Sequence, residues 1–178
     1  MFSITQDGKP LDPSKYTWDE KTRTLTTYED DLVLDFSDYS GVTLKTGRSC
    51  TFKTGSNCVF KTGWFCVFKT GWDCVFSTGG VCTFKTGEKC TFDTGENCTF
   101  TTGKDCIFET KEDCTFDTSW DCTFKTGDNC TFKTGEKCTF DTGKDCVIVR
   151  RDIFEIIQPK EKKTIKLNDH KVKGYTFL

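Results

Sequence analysis

All thirteen cysteines of the chain, Cys50, Cys58, Cys66, Cys74, Cys82, Cys90, Cys98, Cys106, Cys114, Cys122, Cys130, Cys138 and Cys146, are spaced eight residues apart. A unit of eight residues is too short to bury an apolar face by itself. Units in such an array are buried only by stacking, so the period predicts a solenoid. The repeat is Cys, then Thr, Val or Ile, then Phe, any residue, Thr, Gly and two variable residues. Numbering these places one to eight, Phe occupies place three from Phe52 to Phe140, and Thr occupies place five from Thr46 to Thr142.

Places one, three and five alternate with two and four, and their residues are β-branched, aromatic or small, which predicts a five-residue strand. Cys, Phe and Thr point inward. Thr or Val at place two and mostly Lys, Asp or Glu at place four point to solvent. The Gly-x-x that follows reads as a turn with Gly at positive φ, and place eight shows no evident constraint. Lys111 and Ser119 replace that glycine, at an expected cost of roughly 1 kcal/mol each if positive φ is required there.

The small, large, small inward profile favours a flattened coil of two units, 16 residues, with Phe meeting Phe at mid-width. A triangular coil of three units, 24 residues, fits the same pattern. At about 4.8 Å per coil, residues 34–149 give about seven coils and roughly 35 Å in the first case. The second gives about five coils and roughly 24 Å. The fold class is all-β, a tight parallel β-solenoid of octapeptide repeats. Residues 1–33 read as an N-terminal hairpin cap, with strands around Tyr16–Asp19 and Thr24–Tyr28. Residues 150–178 read as a C-terminal cap of three short strands, because an open solenoid end exposes unpaired backbone groups.

Charge is nearly balanced overall, with 25 basic and 27 acidic residues, which argues against nucleic acid or an anionic membrane as partner. It is unequal along the axis: residues 1–41 carry 4 basic and 9 acidic side chains, and residues 150–178 carry 8 and 4. That asymmetry suggests a monomer or weak head-to-tail association. The first residues show no secretory pattern and no apolar run is long enough to span a bilayer. An intracellular, reducing location is therefore expected.

The cysteines admit three readings. An odd number cannot pair fully within one chain, and side-by-side parallel strands give poor disulfide geometry. No Cys-x-x-Cys occurs and the only histidine is His170, so zinc chelation lacks its usual spacing. A ladder of small buried hydrophobes is the simplest account, and no cofactor or metal is expected. Trp64, Phe65, Trp72 and Trp120 occupy turn places where packing does not need them. They are the candidate binding residues, for a sugar or a protein. Arg150-Arg151-Asp152 and Lys160-Glu161-Lys162-Lys163 read as solvated cap charge or a basic docking patch. The Asn97 and Asn129 sequons arise from the repeat itself. No phosphate loop, dinucleotide fingerprint or nucleophile beside a histidine is present, so no catalytic residue is expected.

The start Lys9-Pro10-Leu11-Asp12-Pro13-Ser14-Lys15-Tyr16-Thr17-Trp18-Asp19, the Cys-Thr-Phe-x-Thr-Gly array and the end Val149-Arg150-Arg151-Asp152-Ile153-Phe154 resemble octapeptide-repeat proteins of large DNA viruses and environmental viral sequences. The resemblance implies a capped β-solenoid, a virus-encoded origin, and no catalytic residues to transfer. In architecture alone the chain is similar to the Cys-containing antifreeze solenoids of insects. The functions expected are a non-enzymatic spacer, scaffold or binding surface first, ice binding through outward Thr rows second, and a redox-active thiol array third.

Overall fold

A computed structural model describes residues 2–160 and 163–178. Near the start of the chain, β1 (Ser3–Gln6) and β2 (Lys9–Pro10) form an antiparallel pair. A single 3-10 turn, Pro13–Lys15, leads to the hairpin of β3 (Tyr16–Asp19) and β4 (Thr24–Thr27). Next comes β5 (Leu32–Phe36), and the repeats then supply β6 (Thr43–Lys45) through β19 (Val147–Arg150). The chain closes with β20 (Glu155–Ile157), β21 (Ile165–Leu167) and β22 (Tyr175–Phe177).

Successive repeats alternate between two 11-stranded sheets. Each repeat strand pairs in parallel with the strand sixteen residues on, as in Phe84↔Phe100 and Phe76↔Phe92. The coil is therefore the two-sided, 16-residue one. It is closed eight times, from β4 and β5 to β18 (Thr139–Asp141) and β19. The count exceeds the expected seven because β4, the return strand of the N-terminal hairpin, pairs in parallel with β6. Antiparallel strands β1, β2 and β3 at one end and β20, β21 and β22 at the other cover the stack.

The centre is a herringbone of phenylalanine. Within a sheet the rings stack nearly parallel at 4.8 Å, as in Phe84–Phe100 at 4°. Between sheets they meet edge to face, as in Phe92–Phe100 at 5.2 Å and 76°. Both are favoured arrangements of the ring quadrupole. The rings are buried, and Leu34, Leu44 and Ile148 continue the two files toward the ends. At the start Phe2 stacks on Phe36 at 4.4 Å, with Trp18 and Tyr39 packed around them.

Two local expectations need correction. Most repeat strands span three residues, places two to four, because places five and six already turn. The left-handed residue is the one at place eight, directly before each cysteine. There φ runs from 54° at Asp145 to 62° at Phe65, whereas the repeat glycines lie outside the positive-φ region. Eight of the thirteen place-eight residues are Asn or Asp, the side chains best tolerated in that conformation. Glycine at place six instead permits close approach of coils. A Cβ on Gly95 would lie 2.6 Å from the Gly80 nitrogen. Lys111 and Ser119 consequently need no positive φ, and the penalty anticipated for it does not arise. Ser119 retains the coil-to-coil bond of its file, its N–H reaching the Gly103 carbonyl at 3.3 Å.

The turns are bonded in both directions. Place-five N–H groups donate to the following coil, as in Thr94 to Glu109 at 3.0 Å. Place-six groups donate to the preceding one, as in Gly103 to Gly87 at 3.0 Å, and place eight again reaches forward, as in Asn97 to Glu112 at 3.1 Å. Thus the coil-to-coil hydrogen bonds do not stop where the sheets end. Gly95→Ala should lower stability by about 1–3 kcal/mol through overpacking against backbone. Lys89→Asn should raise it by up to about 1 kcal/mol by easing the left-handed strain. Urea denaturation of the two variants against the parent checks both signs.

Candidate functional site

The inward side chains leave chemistry only to the cysteines. They form two files, one along each narrow edge, and every member is buried. Twelve of the thirteen Sγ atoms lie 3.2–3.6 Å from the place-seven carbonyl two residues earlier. Cys138 instead reaches the Ser119 carbonyl at 3.8 Å. The sulfur therefore packs as a small hydrophobe and also offers a weak S–H donor to a turn carbonyl.

Members of a file titrate against each other. Hydrogen bonds from the Cys50 and Cys82 side chains hold Cys66 low. The same contact with Cys66 pushes Cys50 and Cys82 up, and burial raises both further. For Cys122 the hydrogen bond to Cys106 lowers, but that to Cys138 together with burial outweighs it, and the group is pushed up to about 12. Ionising one member thus opposes ionisation of the next, and none offers an accessible thiolate to a reagent.

The candidate aromatics divide between the edges. Trp72 and Trp120 follow strands of one sheet and share an edge, three coils or about 14 Å apart. Both are exposed. Glu88 and Lys104 lie between them in the same file, and Lys104 Nζ sits 5.6 Å from the Trp120 ring. Trp64 and Phe65 lie on the opposite edge, exposed at 41% and 56%. Exposed Val67 and Val81 adjoin them, a grouping that reading the Trp positions alone did not reveal. The available signal was Gly79-Gly80, sixteen residues after Gly63-Trp64. A Cβ on Gly80 would lie 2.7 Å from Trp64 Cζ3, so the double glycine makes room for the indole.

At the C-terminal end the structure corrects the reading of Arg150 as surface charge. It takes the place-five position after Thr134 and is fully buried. Its Nε and Nη2 donate to the two Asp152 oxygens at 3.1 and 2.7 Å, and its Nη1 and Nη2 donate to the carbonyls of Val172 and Asp169. Arg151 remains exposed and pairs with Asp117. Burial raises the Asp152 carboxyl, but the Arg150 hydrogen bonds and the Lys171 N–H outweigh it and hold the group below its usual 3.8. His170 Nδ1 lies 3.5 Å from Glu136 and 3.9 Å from Asp152. One donor atom from each of these three residues lies within 4.8 Å of the others, the kind of set that can hold a divalent cation. Here Asp152 is already engaged by a guanidinium and a backbone N–H. The arrangement works as a clamp between the last coil and the 169–172 loop.

Open surface grooves of about 330 and 340 Å³ lie beside Lys53 and Lys69 and beside Lys15 and Tyr28. Neither is lined by a cysteine or a histidine. No helix is long and apolar enough to cross a membrane among the described residues. Comparison with family models, with curated proteins and with solved structures yields no match to this chain.

Native protein should leave all thirteen cysteines unreactive to a thiol reagent, and denaturation without reductant should release thirteen titratable thiols; ready labelling of folded protein would contradict the packing. Arg150→Ala removes the guanidinium that ties Asp152 to the Val172 and Asp169 carbonyls and should cost about 3 kcal/mol, read as loss of exchange protection in residues 165–177. Because Asp152 is depressed, its contribution is complete above about pH 5 and drains away as pH falls through the lowered value. Asp152→Asn should flatten that acid limb.

Proposed function

We propose that this protein is a non-enzymatic rigid rod that serves as a spacer or scaffold and presents binding residues along its edges. The observation that carries the reading is the unchanging register. Each repeat strand meets the next one in its sheet at the same sixteen-residue offset, from Thr43↔Val59 to Thr123↔Thr139. Rod length is then a count of coils, and a variable place on an edge is a position at a defined height. The interior is occupied mainly by Phe, Cys and Thr, and the histidine lies in a cap clamp, which leaves no assembled nucleophile, base and oxyanion donors among the described residues.

The ice-binding alternative draws on the outward file Thr83, Thr99, Thr115 and Thr131. Beside it runs the file Lys85, Thr101, Asp117 and Lys133. Alternating charges of this kind disfavour an ordered water layer, so the rod reading is the better supported one. The redox alternative needs accessible thiolates, which burial opposes.

The test is to lengthen the rod by duplicating residues 99–114, one coil. The spacer reading expects a protein that folds with unreduced stability and whose cap-to-cap distance grows by about 4.8 Å. Loss of folding, or a change of shape other than axial lengthening, would count against it.

A further inference from the structure

The middle of the chain hides a second charge boundary. Residues 42–87 carry six basic side chains and one acidic, while residues 88–149 carry seven and thirteen. The rod is therefore banded, and its first basic band contains the Trp64 edge. Lys61 approaches that edge from one sheet; on the other sheet Lys69 and Lys85 stand two residues further along their strands than Val67 and Thr83, toward the opposite edge, and all three lysines are exposed. In the place-four file the order is Asp35, Lys53, Lys69, Lys85, so Lys69 has lysine on both sides rather than an acid.

Within this band the place-eight file departs from its rule. Phe65 at φ 62° and Val81 at φ 56° take the left-handed conformation one coil apart, where most equivalent positions hold Asn or Asp. A bulky aromatic and a β-branched residue are poor choices there. Neither recovers the cost by packing, for both are exposed, Val81 at 41%. Strain that the fold does not need, held at an exposed apolar patch, marks a contact surface. Val67, 44% exposed, extends the patch onto the sheet.

We propose that the edge formed by Trp64, Phe65, Val67 and Val81 docks an acidic peptide segment of another protein, whose apolar side chains seat on the patch while its carboxylates meet Lys61, Lys69 and Lys85. Charge complementarity selects this occupant. The apolar members favour peptide over single-stranded nucleic acid: two of the four are aliphatic, and the Trp64 indole lies against Gly79 and Gly80, which leaves Phe65 as the one fully open ring on which a base could stack. The site deepens the rod reading by naming what one edge holds, and its test does not depend on the outcome of lengthening the rod.

The test uses the full chain and its double variant Phe65→Asn/Val81→Asn. Fluorescence anisotropy is read with a labelled peptide of glutamates around a Leu-Phe-Leu anchor, the same peptide with lysines for glutamates, and oligo(dT). The parent should prefer the acidic peptide by about tenfold or more, with affinity falling as salt rises. The double variant should lose about tenfold in affinity while melting at the same or a higher temperature. Equal binding by the variant, no preference for the acidic peptide, or tighter binding of oligo(dT) would overturn the proposal. So would a lower melting temperature, since Phe65 and Val81 would then be packing residues.

Discussion

Stacked coils in a β-solenoid are separated by the spacing of backbone hydrogen bonds, and every inward side chain has to repeat comfortably at that distance. Phenylalanine satisfies the constraint in this protein. Rings sixteen residues apart stack at 4.8 Å, and the facing sheet inserts its own rings edge-on between them. Toward the narrow edges the walls converge, and along the repeats small side chains fill the space. Cysteine and threonine take those places, and most of them reach a turn carbonyl with a thiol or hydroxyl donor, the buried hydroxyls of Thr62, Thr94 and Thr118 being the exceptions. Thr102, for example, donates to the Gly103 carbonyl at 3.4 Å, as Cys106 does to Lys104 at the same distance. Sulfur here is a matter of size and polarity, and the length of the file follows from the length of the rod.

The same constraint explains what could be read from the amino-acid order. Periodicity eight, alternation within the unit and wear at both ends are local patterns, and they led to a solenoid with its inward files and capped ends, favouring the two-sided coil but leaving the three-unit coil open. The turn was less legible. Glycine invites the assumption of positive φ, yet Gly95 and its equivalents serve close coil contact, and the left-handed residue is two places later. The Asn and Asp enrichment before cysteine was visible evidence of this, masked by Ser49, Phe65, Val81, Lys89 and Lys137 at the same place of the repeat. Arg150 was illegible for a different reason. A basic residue beside Arg151 normally signals surface, and its burial depends on partners at Asp169 and Val172, which no short-range pattern connects to it.

Candidate binding residues were legible as misfits: an indole in a turn has no duty to the core. Their grouping was not, because adjacency in a solenoid runs across sixteen residues. Only with the coil size known do Phe65 and Val81 become neighbours, Gly80 becomes the floor under Trp64, and the lysines of three successive coils become one band. The rod, the banded charge and the strained patch then belong to one picture, in which a uniform core frees the turns to vary. A scaffold of the kind we propose would place recognition chemistry at chosen heights without cost to its centre.

The central claim is that residues sixteen apart are neighbours along the axis. Spin labels attached at Thr51→Cys and Thr131→Cys test it directly, since five parallel pairings connect these positions. Pulsed electron resonance should find one narrow distance of about 24 Å between the attachment points, five coil spacings. A 24-residue coil would place the two labels on different faces with an axial rise of only about 16 Å; a distance reflecting that arrangement, or a broad distribution, would contradict the account.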